Sequence, residues 1–326
     1  MTAPSCWIVT DGKPGMENQC LGLARALGFD PVIKRVRLRA PWKQLSPYLK
    51  LGSRFAAGPG GDPIAPPWPD LLIASGRSSI APSLAARKLS GGRTFTVQIQ
   101  DPQIPARWFD LVVVPRHDRL RGENVVATRG ALHHVTPEAL AAAAARLGPG
   151  LAHLPHPRVA VLVGGDNGVY RLTEALAAEL ADRLAALARG HGVGLMVTPS
   201  RRTGAANEAI LRQRLAGLPA VVWDGAGDNP YLGFLGLADH VVVTCDSVSM
   251  VSEAASTGKP VHVVDLEGGS PKFRSFHAAL RAEGIVRPFT GALPSWRYEP
   301  LDDTGLVADE IRRRLATKRP ARDAAH

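Results

Sequence analysis

The sequence is poor in cysteine. Cys6, Cys20 and Cys245 stand far apart with no CxxC spacing, which excludes a disulfide framework and a thiolate zinc site and leaves reduced, structural thiols. No apolar run reaches the roughly 18 residues that a membrane-spanning helix needs. The N-terminus has no charged region followed by an apolar stretch, so a cytoplasmic location is expected. A GxGxxG run follows neither candidate first strand and GxxxxGK[ST] does not occur, which removes the dinucleotide fingerprint and the P-loop. The ten histidines show no metal-ligand spacing, with His133-His134 reading as surface, so neither a metal nor a cofactor is expected. No recognised nucleic-acid module accompanies the basic charge, and a nucleic-acid partner is not expected.

What remains is ordinary globular material: 45% hydrophobic and 21% charged residues over 326 positions, enough for two domains of about 150 residues each. The net charge of +10 is unevenly placed. Residues 1–150 carry 19 basic and 10 acidic side chains, and the rest carry 20 and 19. A basic first half suits an anionic partner, and an arginine-rich solvated surface accounts for it equally well.

Short apolar runs alternate with helical stretches throughout. Strands are expected at 6–10, 70–75, 94–100 and 111–115, with helices at 18–27 and 80–89; polar loops such as Asp11–Gly15 and Gly76–Ser79 lie between them. A near-polyalanine helix over 138–147 ends at Gly148-Pro149-Gly150, and Pro155-His156-Pro157 follows, marking the expected domain boundary. A second series then begins. It has strands at 159–163, 194–198, 220–223, 241–245 and 261–264, and helices at 173–189, 207–215, 231–237 and 247–257, with Thr173 as an N-cap. A last helix over 306–315 precedes a basic tail from Lys318. The pattern predicts two tandem doubly wound α/β domains, over 1–150 and 158–290, with 291–326 as a terminal helix and tail. Such sheets would face each other across a cleft, binding ligands at the carboxyl ends of their strands.

The strongest local signal runs from Ala238 to Val261, where an apolar strand enters Cys245-Asp246-Ser247 and then a helix. Free amides at that helix start suit a phosphate or diphosphate. Asp246 or Ser247 would cap it, Ser247 and Ser249 add hydroxyls, Met250 lies in the first turn, and Glu253 would accept hydrogen bonds from ribose. A capped helix without a ligand has the same pattern. Ser200, Arg201 and Arg202 follow a strand end, where the arginines would neutralise a leaving diphosphate, Arg201 acting on charge that grows during transfer. Lys272 would reach the same region, and Gly164-Gly165 would let backbone approach a ligand; turn geometry explains the glycines as readily. Lys34 to Phe55 mixes basic residues with Trp42, Tyr48, Leu49 and Phe55, which suits an anionic bilayer surface and a peripheral place at the inner membrane. A connector packed on the first domain fits as well, and Pro41 and Pro47 exclude one long amphipathic helix there.

The 238–261 stretch resembles the donor half of GT-B glycosyltransferases, and Pro69–Asp101 is similar to the acceptor-domain segment of the lipid-II-forming N-acetylglucosaminyltransferase. Over about residues 6 to 290 the chain more closely resembles the family of the plant mitochondrial fission factor named for elongated mitochondria, with its bacterial relatives. Asp11–Cys20, Gly76-Arg77, Gln100-Asp101-Pro102, Gly164-Gly165 and Ser200–Thr203 carry that likeness. So do Asp228-Asn229-Pro230-Tyr231, Asp246–Met250, Glu253, Lys272-Phe273 and His277. The resemblance implies a GT-B-like architecture and a nucleotide-sugar site that includes Asn229. Relatives often carry His where this chain has Met16, so an acceptor hydroxyl would need another base; Asp11 and Glu17 are the candidates in the loop, and capping fits both. Three functions follow as expectations: a metal-independent glycosyltransferase acting on a lipid or envelope-glycan acceptor, a non-enzymatic adaptor that keeps the fold, or a nucleotide-sugar epimerase. The last would need carboxylates in both halves, and Asp11, Glu17, Asp101 and Glu253 are those available.

Overall fold

Runs such as Leu71–Ser75 and His240–Thr244 are buried along their whole length, the mark of parallel strands covered on both faces. The computed structural model describes residues 4–48, 56 and 58–318. Residues 49–55, the end of the basic-aromatic stretch, and 319–326, nearly all of the basic tail, lie outside them.

The first unit spans Met1–His134 and Asp302–His326. Its elements are β1 (Cys6–Thr10), α1 (Pro14–Ala26), β2 (Val32–Arg35), α2 (Trp42–Leu45), β3 (Leu71–Ser75), α3 (Ile80–Leu89), β4 (Phe95–Ile99), β5 (Leu111–Pro115) and β6 (Val125–Thr128). They form one sheet of order β2-β1-β3-β4-β5-β6 in which every pairing is parallel. The second unit, Val135–Leu301, begins with α4 (Pro137–Leu147), β7 (Arg158–Val163), β8 (Tyr170–Arg171), α5 (Glu174–His191), β9 (Gly194–Pro199), α6 (Ala205–Leu215) and β10 (Ala220–Val222). It continues with α7 (Tyr231–Leu237), β11 (His240–Thr244), α8 (Val248–Ala255), β12 (Val261–Val264), β13 (Glu267–Gly268), α9 (Pro271–Ala282) and β14 (Val286–Pro288). Its main sheet, order β10-β9-β7-β11-β12-β14, is also parallel throughout. A small antiparallel ribbon pairs β8 with β13. The expected pair of doubly wound α/β sheets is present.

The units divide between His134 and Val135, not at the Gly148–Pro157 stretch. The reason is packing. Gly233 and Gly236 of α7 lie against α4, and a Cβ at Gly236 would sit 2.5 Å from the Leu140 carbonyl oxygen. That close approach seats the alanine-rich helix on the second unit. The terminal helix α10 (Asp303–Lys318) returns to the first unit instead of standing apart. Val307, Ala308 and Ile311 enter its core. The buried Asp303 carboxylate accepts the Arg129 and Gly130 amides at 3.1 and 2.7 Å.

Apolar periodicity does not announce β2, which is a largely polar edge strand, nor the short β6, β8, β13 and β14. α1 starts at Pro14, ahead of the expected 18, because the fixed φ of proline suits a first helical turn. α9, whose Phe276, His277 and Leu280 are buried at helical spacing, carries a legible periodic pattern that the expectations above leave out. His133 is buried, not at the surface: a Cβ at Gly22 of α1 would collide with its carbonyl, so helix and loop pack in direct backbone contact. The three cysteines are buried and free, and burial pushes the Cys6 thiol up to about 12 and the Cys245 thiol to about 11. The described part of the basic stretch is split among elements. Lys34 stacks over Trp7 at 5.0 Å, and Arg39 lies over Trp42, while Leu45 and Tyr48 are exposed.

Candidate functional site

An open parallel sheet offers its ligand crevice where neighbouring strands send their connections to opposite sides. In the second unit that point falls between β7 and β11, so the loops after Val163 and Thr244 meet there. The contacts are specific. Thr244 Oγ1 accepts the Gly164 amide at 2.7 Å and donates to Asp246 Oδ1 at 2.6 Å. Asp246 Oδ2 accepts the Gly165 amide at 3.1 Å and pairs with the Arg202 guanidinium at 2.7 Å. Asn167 Nδ2 donates to the Asp246 carbonyl at 3.0 Å. Three loops, after β7, β9 and β11, are therefore latched around one carboxylate whose side chain is wholly buried. Thr203 completes the latch, donating to the Val163 and Gly164 carbonyls at 3.0 and 2.6 Å.

This arrangement divides the predicted residues by role. Asp246 does not cap α8; Ser247 does, accepting the Met250 amide at 3.3 Å. Asp246 instead holds the glycine loop in place. Gly164 and Gly165 are needed for a steric reason. A Cβ on the first would strike the Asp246 carboxylate, and one on the second would strike the Arg202 backbone. Ser200 serves its own turn, its amide donating to Val163 O at 2.9 Å and its hydroxyl accepting the Arg202 amide at 3.2 Å. Arg202 is half-exposed and paired, whereas Arg201 is exposed beside it. Asn229 lies just before the N-cap Pro230 of α7 and accepts the Tyr231 amide at 3.0 Å, closing a local turn. Ser247, Ser249 and Met250 are partly exposed, so the first turn of α8, with the positive end of its dipole, opens to solvent. Lys272 lies exposed in the first turn of α9, whose N-cap is Ser270.

Glu253 is the most perturbed acid of the site. It keeps 8% exposure and accepts the Tyr231 hydroxyl at 2.5 Å. Desolvation pushes its carboxyl up to about 7 against the lowering effect of that hydrogen bond. A folded-state value above the unfolded 4.5 makes the acid's contribution to stability complete below pH 4.5 and lost as pH rises through 7. Glu253→Gln should therefore flatten the fall in stability between those pH values. Urea titrations at several pH values test this, and an unchanged slope would show that the carboxyl titrates normally.

In the first unit the corresponding point falls between β1 and β3. The Asp11–Cys20 segment, a turn followed by the start of α1, and Gly76-Arg77 meet there: Gly76 adopts φ +86°, and a Cβ on it would lie 2.6 Å from Met16 Sδ. No loop carboxylate is poised as a base. Glu17 is gripped by Arg35 through two hydrogen bonds of 3.0 and 2.8 Å. That pairing holds its carboxyl below the ordinary value, opposite to what a base working near neutrality needs. Asp11 pairs with Lys13 at 2.8 Å and accepts its amide at 3.3 Å, closing a local turn. Asp101 is exposed and takes the Gln103 amide at 2.7 Å. Sequence reasoning missed Thr244, Asn167, Thr203 and Tyr231 as parts of the second-unit site. Thr203, Tyr231 and Thr244 had a signal, lying inside the Ser200–Thr203, Asp228–Tyr231 and Ala238–Val261 motifs, whereas Asn167 had none beyond its place after Gly164-Gly165. Among the described residues no cluster of three or more metal-ligating side chains occurs.

Comparisons with known proteins fit this geometry. The sequence profile of the family described as Mitochondrial fission ELM1 matches residues 14–315. The mitochondrial fission protein ELM1 of Arabidopsis thaliana is 32% identical over 389 residues, covering 95% of this chain and 91% of that protein. An uncharacterised protein of Rickettsia prowazekii is 26% identical, covering 75% of this chain and 79% of its own. Among solved structures, the UDP-GlcNAc 2-epimerase of Methanocaldococcus jannaschii superposes with a TM-score of 0.56 at 11% identity, covering 97% of this chain and all of that one. The same enzyme has been solved with UDP-GlcNAc and UDP, and in that form the TM-score is 0.53. MurG of Acinetobacter baumannii gives 0.52 at 14% identity over 97% and 93% of the two chains. At these identities the likeness establishes a shared GT-B-like fold.

Proposed function

Because the chain belongs to the mitochondrial fission ELM1 family and has the fold of nucleotide-sugar enzymes, we propose that its second unit binds a nucleotide-activated sugar and that the protein is a metal-independent glycosyltransferase. The observation that carries the binding half is the partly exposed, Ser247-capped start of α8 at the strand switch point, where three loops are latched by Asp246. The diphosphate would lie on the first-turn amides of α8 and the hydroxyls of Ser247 and Ser249, with Arg201 and Arg202 balancing its charge. The ribose would lie against Glu253. That neighbours of the same fold are solved with UDP-GlcNAc supports a uridine nucleotide as the first ligand to try. The acceptor would be a lipid or envelope glycan, approached at the cytoplasmic membrane surface through the basic-aromatic stretch 34–55.

A titration of UDP, GDP, CMP, ADP and their common sugars tests the donor site by calorimetry and thermal shift. Selective binding of one nucleotide, weakened about tenfold or more by Arg201→Ala, is the expected result, a loss of about 1.4 kcal/mol. No binding of any of the four would refute it. Sedimentation with anionic liposomes at low salt tests the membrane part, and Lys34→Glu with Lys43→Glu should abolish it.

A second reading, an adaptor that binds a nucleotide or none and performs no transfer, is favoured by a separate observation. In the first unit Met16 packs against Gly76, and Glu17 and Asp11 are both ion-paired. Nucleotide binding without hydrolysis or transfer to any acceptor would favour it.

A further inference from the structure

Tyr231 stands at the first position of α7, directly after Pro230, and its phenol reaches across to α8. The hydroxyl donates to Glu253 Oε2 at 2.5 Å. This is a charge-assisted geometry when the carboxyl is ionised, and such bonds are about twice as strong as neutral ones. Burial makes Tyr231 itself resist ionisation, its hydroxyl lying well above the ordinary value, so it acts as a donor at every working pH. The Oε2 position is thereby occupied and the carboxyl is held in one orientation in a residue that keeps 8% exposure.

We propose that Tyr231 is the positioning residue of the nucleotide half-site: its hydroxyl holds Glu253 as an ionised acceptor for the ribose hydroxyls, so that nucleotide binding is linked to loss of a proton from Glu253. The inference rests on the nucleotide reading above and adds a coupling to it. A carboxylate accepts from a vicinal diol through both lone-pair sets, whereas the protonated acid must spend one oxygen as a donor. A nucleotide therefore selects the ionised form, and the proton leaves to solvent. Among the described residues, desolvation and this one hydrogen bond account for the shift of Glu253, so removing the Tyr231 hydroxyl takes away the contact that stabilises the buried charge.

The other titratable groups on the elements packed against α8 are engaged elsewhere. Lys259 donates to the Leu235 and Gly236 carbonyls at 2.5 and 2.8 Å, at the far end of α7. His240 of β11 and His262 of β12 face each other at 3.3 Å. Asp246, at the mouth of α8, is held by Arg202. None of these four contributes to the Glu253 shift, which leaves Tyr231 as the group that tunes it.

The test uses the full chain and Tyr231→Phe, which keeps the ring and removes the hydroxyl. Carboxyl carbon NMR of Glu253 in the free protein should show its titration midpoint moving upward in the variant. UDP affinity, measured by calorimetry from about pH 5.5 to about pH 9, should be about tenfold weaker in Tyr231→Phe at the acid end and equal to wild type at the alkaline end. In Glu253→Gln the pH dependence should vanish. A variant uniformly weaker at every pH, or an unmoved Glu253 midpoint, would overturn the inference, because a merely structural phenol affects all pH values alike. A wild-type protein that shows the NMR shift but binds no UDP would leave the Tyr231–Glu253 coupling standing and would remove its assignment to a uridine nucleotide.

Discussion

Asp246→Ala is expected to destabilise the second unit by about 3 kcal/mol and to abolish nucleotide binding. The carboxylate accepts Thr244 Oγ1, the Gly165 amide and the Arg202 guanidinium at once, and its side chain has no exposure. Its removal leaves a buried hydroxyl and a buried amide unpartnered, each costing about 1–3 kcal/mol. Arg202 is 37% exposed and can turn to water, which keeps the loss near the lower end for a broken buried pair. The glycine loop then has nothing to hold it against the turn after β11. Asp246→Asn keeps an acceptor for Thr244 but loses the ion pair, and a loss about half as large is expected. Hydrogen exchange of the β7 and β11 amides, compared with those of β1 and β3, measures the change within one unit. Uniform protection in Asp246→Ala, with no acceleration in β7 or β11, would mean the latch contributes nothing.

Gly165→Ala is expected to be equally severe for a different reason. A Cβ there would overlap the Arg202 carbonyl and lie 2.6 Å from the Thr203 amide nitrogen. Both neighbours are backbone and neither is free to yield. The Arg202 carbonyl accepts the Asp166 amide at 3.0 Å, and Thr203 is anchored to Val163 and Gly164. Relief requires the loop to open, with a loss of about 2–3 kcal/mol, the range of overpacked cores. UDP binding should fall below detection although no ligand-contacting side chain has changed. Gly168→Ala is the matched control: a Cβ there meets nothing within 4 Å, and wild-type behaviour is expected. If Gly165→Ala keeps wild-type affinity and exchange rates, the glycine is there for turn geometry alone.

The two variants separate what a local reading of the sequence reaches from what it misses. Gly164-Gly165 and Asp246-Ser247 stand out because each follows a buried apolar run and opens a polar turn, and both lie at strand carboxyl ends as expected; that these ends flank the switch point comes from the strand order. Their mutual contact is not legible: Gly165 and Asp246 are 81 positions apart, and nothing in either neighbourhood names the other. The same limit explains the capping assignment. Asp and Ser are both good N-caps, and only the tertiary demand for a carboxylate beside Arg202 leaves the cap to Ser247. Glu17 reads equally as a base or a cap until Arg35, on an edge strand with no apolar alternation, closes on it.

Alternating apolar runs and helical periods, with turn residues between them, determined by themselves that this chain forms two parallel α/β sheets. They also determined that its distinctive loops sit at the carboxyl ends of strands, because burial period and turn chemistry are properties of a few adjacent residues. The tertiary structure alone decided that α4 joins the second unit through Gly233 and Gly236, and that α10 returns to the first through Asp303, 173 positions from Gly130. It likewise decided which carboxylates are spent on structure and which, like Glu253 under the Tyr231 hydroxyl, are left tuned. Those outcomes depend on desolvation and on partners brought together from distant segments, and neither is written in a local stretch of sequence.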